Sequence, residues 1–298
     1  MKSRRKKQVG KPRQHKKTYK KSFCAPGSGS DNTMTCYSNK KLLNMRTYWN
    51  TRHPDKKINS KDPRTIWMQL KENMSHVCNT ERCWLNQAFI KDSGNNDLLN
   101  YTFVPDSPKI WNVKPNEWLT SVDIENVMKQ YERAYPCFQF LGPSPIDFDK
   151  KKGGGKQCVW NELCYFDLQS FLHKGCNKIG MIFNTDPHYL NGSHWIALFI
   201  NMKKNYIYYF DSVGDKAPKE INILIDRIMD QSEKLGNKLQ RFDNTTKHQR
   251  SNSECGMYCL YFIIHALKDI HPQTLMSQRV PDEVMERFRK IYFNPSEA

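Results

Sequence analysis

The sequence predicts an α+β fold in which a helix that begins at a cysteine packs against an antiparallel central sheet. Three observations predict it. The string Gln249-Arg-Ser-Asn-Ser-Glu-Cys255-Gly256 leads directly into an apolar run over 257–267, which reads as a buried helix. His194-Trp-Ile-Ala-Leu-Phe-Ile200 and Tyr206-Ile-Tyr-Tyr-Phe210 read as two buried strands, rich in β-branched and aromatic residues. Asn201-Met-Lys-Lys-Asn205 between them is short and polar, as a hairpin turn should be.

From the N-terminus, residues 1–35 read as a basic disordered tail and linker. Residues 1–21 hold eleven Lys or Arg and no acid, and so supply eleven of the formal +17 charges. Such a block cannot pack on itself and stays solvated. It is a candidate for nucleic-acid binding by phosphate neutralisation, or a targeting address, with a solubilising tail as the plain alternative. Gly27-Ser-Gly-Ser-Asp31 continues as linker. Residues 36–100 read as a small, mainly helical N-terminal lobe. Pro63 opens one helix there, and Glu81-Arg-Cys-Trp-Leu-Asn-Gln-Ala-Phe-Ile90 shows the period of another. No catalytic grouping occurs in this lobe.

Residues 92–117, with several Pro and Asn, connect to the domain expected over 101–298. Val122, Ile124, Val127, Met128 and Tyr131 recur at helical spacing. Gly153-Gly-Gly155 among lysines marks a surface loop, residues 178–183 another strand, and the sheet resumes near 239–242. Between them Pro218 opens a helix with one buried face through Ile221, Leu224, Ile225, Ile228 and Met229. Pro281 opens the last helix, with Asp282 and Glu283 in its first turn.

The chemistry is carried by three residues. A cysteine at a helix N-terminus meets unpaired N–H groups and the positive end of the helix dipole, both of which favour thiolate. Gly256 lets a ligand approach the backbone closely, and Gln249 brings an amide donor to the same loop. A thiolate nucleophile needs a base and an orienting acid. In the predicted hairpin, paired residue numbers sum to roughly 405 to 407, so His194 meets a residue between about 211 and 213. Asp211 stands there, able to fix the imidazole tautomer and leave the other ring nitrogen for the thiol. Taken singly, each has a bland reading: a packed core thiol, a surface histidine, and a turn at Asp-Ser-Val-Gly. Their coincidence points to catalysis.

The chain order His194…Asp211…Cys255, with His-Trp, Gln and Cys-Gly, resembles the ubiquitin-like-protein-specific (SUMO) proteases and the adenovirus protease. Within that superfamily it most resembles the maturation proteases of large nucleocytoplasmic DNA viruses, of the African swine fever virus type. Phe183-Asn-Thr-Asp186, His248-Gln-Arg-Ser251, Arg279-Val-Pro-Asp-Glu-Val-Met285 and Phe288-Arg289 carry that likeness, which spans roughly residues 118–293. Two positions depart from the pattern. The swine fever type has asparagine where Asp211 stands, while the SUMO proteases have aspartate. Gln249 matches the oxyanion glutamine by SUMO-protease spacing, whereas Asn252 stands where the swine fever type places its glutamine; Gln249 is the first candidate and Asn252 the second.

The resemblance implies a papain-like cysteine protease fold and peptide hydrolysis through an acyl-enzyme, with no metal or organic cofactor. It implies that Trp118 and Trp195 line a narrow substrate channel beside Gly256, accepting Gly-Gly or Ala-Gly before the scissile bond. The implied substrate is a viral core polyprotein cleaved during virion maturation, in the virion or the host cytoplasm. The alternatives are deconjugation of a SUMO- or ubiquitin-like protein, and a nucleic-acid-binding virion protein with an inactive protease fold. No apolar stretch is long enough to span a bilayer, and no secretion signal is expected. Ten cysteines are expected as free thiols, since a chain of this length needs no disulfides and a working thiolate suits a reducing compartment. Cys158, Cys164 and Cys176 read as ordinary thiols. Cys78-x4-Cys83 with His76 nearby is a weak zinc candidate, and no structural metal is expected.

Overall fold

The computed structural model describes residues 22–28, 34–153 and 155–296; the basic block over 1–21 lies outside them. The chain divides into two compact units, one over residues 37–99 and one that joins 23–36 to residues from 100 onward.

The smaller unit is helical. It contains α1 (Asn39–Arg52), α2 (Pro63–Asn73), α3 (Glu81–Leu85), α4 (Ala88–Lys91) and most of α5 (Asn96–Asn100). Ser38 and Asp62 cap α1 and α2 with their side-chain oxygens, and Pro63 occupies the first turn of α2, where its missing N–H leaves no bond unmade. The single helix expected over 81–90 is two short ones. The chain turns at Asn86–Gln87, where Gln87 bonds back to the Cys83 carbonyl. Helix α1 escapes a periodicity search because its buried residues, Leu42, Met45 and Trp49, are only three among charged and polar neighbours.

In the larger unit β1 (Phe138–Pro145), β2 (Lys178–Asn184), β3 (Trp195–Asn201), β4 (Tyr206–Phe210) and β5 (Gln240–Asp243) form one sheet in that order. The central strands β2, β3 and β4 are antiparallel, and both edge strands pair in parallel with their neighbours. The β3–β4 hairpin pairs Ala197 with Phe210 and Asn201 with Tyr206, so paired numbers sum to 407. Both faces of the sheet are buried, and side chains alternate between them. Trp195, Ala197 and Phe199 of β3 point into one core, and Ile196, Leu198 and Ile200 into the other. The first core lies beneath α6 (Ser121–Ala134), α10 (Cys255–Leu267) and α12 (Asp282–Tyr292). The second lies beneath α8 (Leu168–His173) and α9 (Lys219–Lys234). Two short helices, α7 (Asn161–Cys164) and α11 (Pro272–Met276), complete the set. Each large side chain buried this way contributes about 1.5–3 kcal/mol, which is why α10, apolar on every side, runs through the interior.

Two expectations need correction. The linker over 22–35 is, where described, part of the larger unit: Cys24 bridges Phe103 as an antiparallel partner, and Ala25 N–H donates to the Thr102 carbonyl. The cysteines are not all free thiols. Cys24–Cys36, Cys78–Cys83 and Cys158–Cys164 are disulfides, with sequence separations of 12, 5 and 6 residues. Cys78 and Cys83 therefore commit their sulfurs to each other and offer no zinc ligands. Cys137, Cys176, Cys255 and Cys259 are free. Gly153 has φ +55° in the loop closed by the Lys151–Cys158 bridge, and Gly154 lies outside the described residues. No helix among the described residues is long and apolar enough to cross a membrane.

Candidate active site

The site forms where the C-terminal end of β4, the loop before β3 and the N-terminus of α10 converge. His194 immediately precedes β3 and Asp211 immediately follows β4. The register of the hairpin, extended beyond its last pair, sets His194 opposite Val213 and diagonal to Asp211, within reach of a long side chain. His194 Nε2 lies 2.8 Å from Asp211 Oδ1. The same oxygen accepts from Val213 N–H at 2.9 Å, and Gly214 N–H closes the turn onto the Asp211 carbonyl. Asp211 thus bonds the imidazole and closes the turn at the same time. Gly214 has φ +81°, and a Cβ there would sit 2.9 Å from the Thr245 carbonyl oxygen, so the tight turn requires glycine.

Asp211 is buried, with 4% of its side chain exposed, against 22% for His194. Asn244 holds it from behind, donating to the Asp211 carbonyl at 2.6 Å. Cys255 also favours the charged form of the imidazole; because Nε2 is taken by Asp211, Nδ1 is the nitrogen left for sulfur. Burial opposes charge on His194, but the hydrogen bonds to Asp211 and Cys255 and the attraction of both groups outweigh it. The pKa of the imidazolium is raised to about 10. Loop 185–193, which delivers His194, is pinned by Asn184, whose Oδ1 accepts from the N–H groups of Asp186 and Ser193.

Cys255 is the first residue of α10 and is 2% exposed. No side chain caps this helix end, so its first-turn N–H groups remain available to negative charge. Gln249 is buried, and its Oε1 accepts from Ser212 Oγ at 2.7 Å while its Nε2 donates to the Ser251 carbonyl at 2.7 Å. That leaves the second Nε2 hydrogen for an oxyanion. Asn252 lies in the same loop but is exposed. Ser212 and Asn244 are supports that sequence reasoning missed: Ser212 is adjacent to Asp211, but its bond to residue 249 is long-range.

Gly256 departs from expectation. A Cβ at this position would lie 3.2 Å from the Leu119 Cβ and 3.3 Å from Trp195 Cδ1. The space a side chain would take is filled by those two residues rather than left for a ligand. Trp195 is fixed there by donating Nε1–H to the Leu119 carbonyl at 3.1 Å. Trp118, half-buried, joins Leu119 and Trp195 in lining a cleft of about 540 Å³, together with Pro143, Asn184 and Gly192.

A buried thiol at a helix N-terminus, a partly buried imidazole, a buried carboxylate and a fixed amide are the parts that a nucleophile with an oxyanion site would need. Residues 172–298 match the Ulp1 protease family, C-terminal catalytic domain. Over 291 residues the chain is 28% identical to a protein of Acanthamoeba polyphaga mimivirus named as a thiol protease, covering 91% of this chain and 93% of that one. It is 26% identical to a protein of African swine fever virus named as a SUMO-1 cysteine protease, covering 77% of this chain and 87% of the relative. The crystal structure of an African swine fever virus protease superposes with a TM-score of 0.66 at 23% identity, covering 92% and 96% of the two chains; this likeness speaks for the fold. The chain is a cysteine-type peptidase, and within the matched residues α10 packs against β3.

Proposed function

We propose that this cysteine peptidase is an endopeptidase that cuts after small residues, of Gly-Gly-X or Ala-Gly-X type, in viral structural polyproteins during virion maturation. The observation that carries the reading is the His194–Asp211 pair at the end of the β3–β4 hairpin together with Cys255 at the head of α10, with a cleft lined by Trp118 and by Trp195, the chain neighbour of His194. The proposed reaction starts from the thiolate–imidazolium pair. Cys255 Sγ attacks the scissile carbonyl, and its oxygen becomes the oxyanion, held by Gln249 Nε2–H and the Cys255 backbone N–H. His194 passes its Nδ1 proton to the leaving amine as the C–N bond breaks. Water then attacks the thioester, His194 takes its proton, and the C–S bond breaks to restore the thiolate. Indole side chains lining the cleft favour a substrate without bulky side chains where it lies between them.

A second reading, deconjugation of a SUMO- or ubiquitin-like protein, is favoured by the name of the swine fever relative. Both readings place a Gly-Gly carbonyl at Cys255. Incubating the purified protein with Gly-Gly-X peptides drawn from polyprotein junctions, and with a folded ubiquitin-like protein bearing a C-terminal extension, separates them. Cleavage of the peptides in preference to the folded fusion supports the polyprotein reading; the reverse preference overturns it. Residence in the virion and the host cytoplasm belongs to the same proposal.

A further inference from the structure

Helix α12 grips both ends of the loop that precedes the nucleophile, and it does so with two side chains. At its first residue, Asp282 Oδ2 accepts the backbone N–H groups of Arg250 and Ser251, both at 3.0 Å. Asp282 Oδ1 accepts the hydroxyl of Tyr258, which sits one turn beyond Cys255 on α10, at 2.9 Å. Seven residues later, and so on the same helical face, Arg289 forms a two-pronged ion pair with Glu254. Nε donates to Oε2 at 2.9 Å and Nη2 to Oε1 at 2.8 Å.

Glu254 is the residue immediately before the nucleophile and is 1% exposed. A buried carboxylate there, left alone, would oppose the thiolate beside it. Arg289 also donates Nη1–H to the Glu117 carbonyl at 2.9 Å and stacks its guanidinium 4.3 Å over Trp111. It therefore ties the nucleophile turn to the segment that carries Trp118. A buried ion pair is a weak stabiliser, because apolar residues of similar size are often as stable. Its planar, two-pronged geometry is instead suited to fixing orientation.

We propose that α12 is a splint for the catalytic loop, in which Asp282 and Arg289 are positioning residues. Asp282 holds Ser251 by its N–H, and the carbonyl of that same residue orients Gln249 Nε2; Arg289 sets the turn that presents Cys255. Neither touches the reacting atoms. This inference rests on the assignment of Cys255 as nucleophile and Gln249 as oxyanion donor.

The test compares full-length wild type with Asp282→Ala, Asp282→Asn and the double variant Glu254→Met/Arg289→Met, which removes both buried charges together and so avoids stranding one. For each, kcat and KM are measured on a Gly-Gly-X peptide per alkylation-titrated thiol, alongside the alkylation rate of Cys255 by iodoacetamide. Asp282→Ala is expected to lower kcat by about 10- to 100-fold, the scale of a small misplacement in an active site, with KM little changed and alkylation near wild type. Asp282→Asn, which keeps an acceptor, is expected to recover part of the loss, and the double variant is expected to lose kcat as well. Wild-type kcat per titrated site in both Asp282→Ala and the double variant overturns the splint, as does a loss confined to KM. Failure of the underlying assignment shows separately, as turnover that survives in Cys255→Ala.

Discussion

Ser212 donates its hydroxyl hydrogen to Gln249 Oε1 at 2.7 Å across a separation of 37 residues. Its chain neighbour Asp211 holds His194, so two successive residues at the end of β4 fix both the imidazole and the Gln249 amide. The bond also decides which hydrogen-bonding end of Gln249 faces the loop. With Oε1 committed to Ser212, the NH₂ group is the end turned toward Ser251 and the substrate.

Gln249→Ala should therefore lower kcat by about 10²–10³, the usual cost of removing one oxyanion donor, with a smaller change in KM, since the oxyanion exists chiefly in the transition state. Ser212→Ala should show a weaker loss of the same kind. Asn252, exposed in the loop, should matter less when changed to alanine. Steady-state kinetics decide it, and a larger loss at Asn252 than at Gln249 would transfer the role.

The pKa of the His194 imidazolium is raised to about 10 by its bonds to Asp211 and Cys255 working against burial. The sign follows from linkage: its folded value exceeds the unfolded one of 6.5. Its contribution to stability is thus full below about 6.5 and fades as pH rises toward 10. The alkaline limb of kcat/KM should accordingly lie well above the ordinary histidine range. In Asp211→Asn an amide still orients the ring but no longer attracts its charge, so activity should persist at a reduced level and the limb should move down. Asp211→Ala should cost more, up to about the 10²–10⁴ typical of general acid–base catalysis. A pH profile identical in all three proteins would leave Asp211 as a turn residue only.

Gly256→Ala should impair both folding and turnover, because its Cβ meets Leu119 and Trp195 at 3.2 and 3.3 Å. Overpacking of this kind costs about 1–3 kcal/mol. Thermal unfolding together with kcat checks it. An alanine variant with unaltered stability and activity would show that the space beside Gly256 yields easily.

Deleting residues 1–21 should leave cleavage of short uncharged peptides intact while weakening nucleic-acid binding in a steeply salt-dependent way, since each phosphate contact releases counterions. The eleven basic residues without an acid motivate this. Affinity at two salt concentrations, with and without the tail, is the measurement. Equal affinities would remove the nucleic-acid role, and lost peptide turnover would join the tail to the catalytic unit.

The parts of this site legible in the sequence are those set by local pattern. The β3–β4 hairpin follows from two apolar runs and a polar turn, and its register alone brings His194 to Asp211. Cys255 at the head of an apolar run likewise announces a helix start. What stayed hidden depends on contacts between distant residues. Nothing local marks Arg289 as the partner of Glu254, 35 residues away, or Asp282 as the acceptor for loop 250–251. The disulfides were hidden for a similar reason, since spacing does not tell a paired thiol from a free one. Gly256 was read as room for a ligand because sequence shows the missing side chain but not the neighbours that fill its place.

The central claim is that Cys255 is the nucleophile, activated by His194. Its most direct test is turnover of a Gly-Gly-X peptide by wild type and Cys255→Ala, with thermal unfolding recorded for both. Removing one sulfur from a packed helix start takes away little volume, so the variant should fold as wild type does and cleave nothing. Peptide cleavage that persists in a folded Cys255→Ala protein would contradict the account.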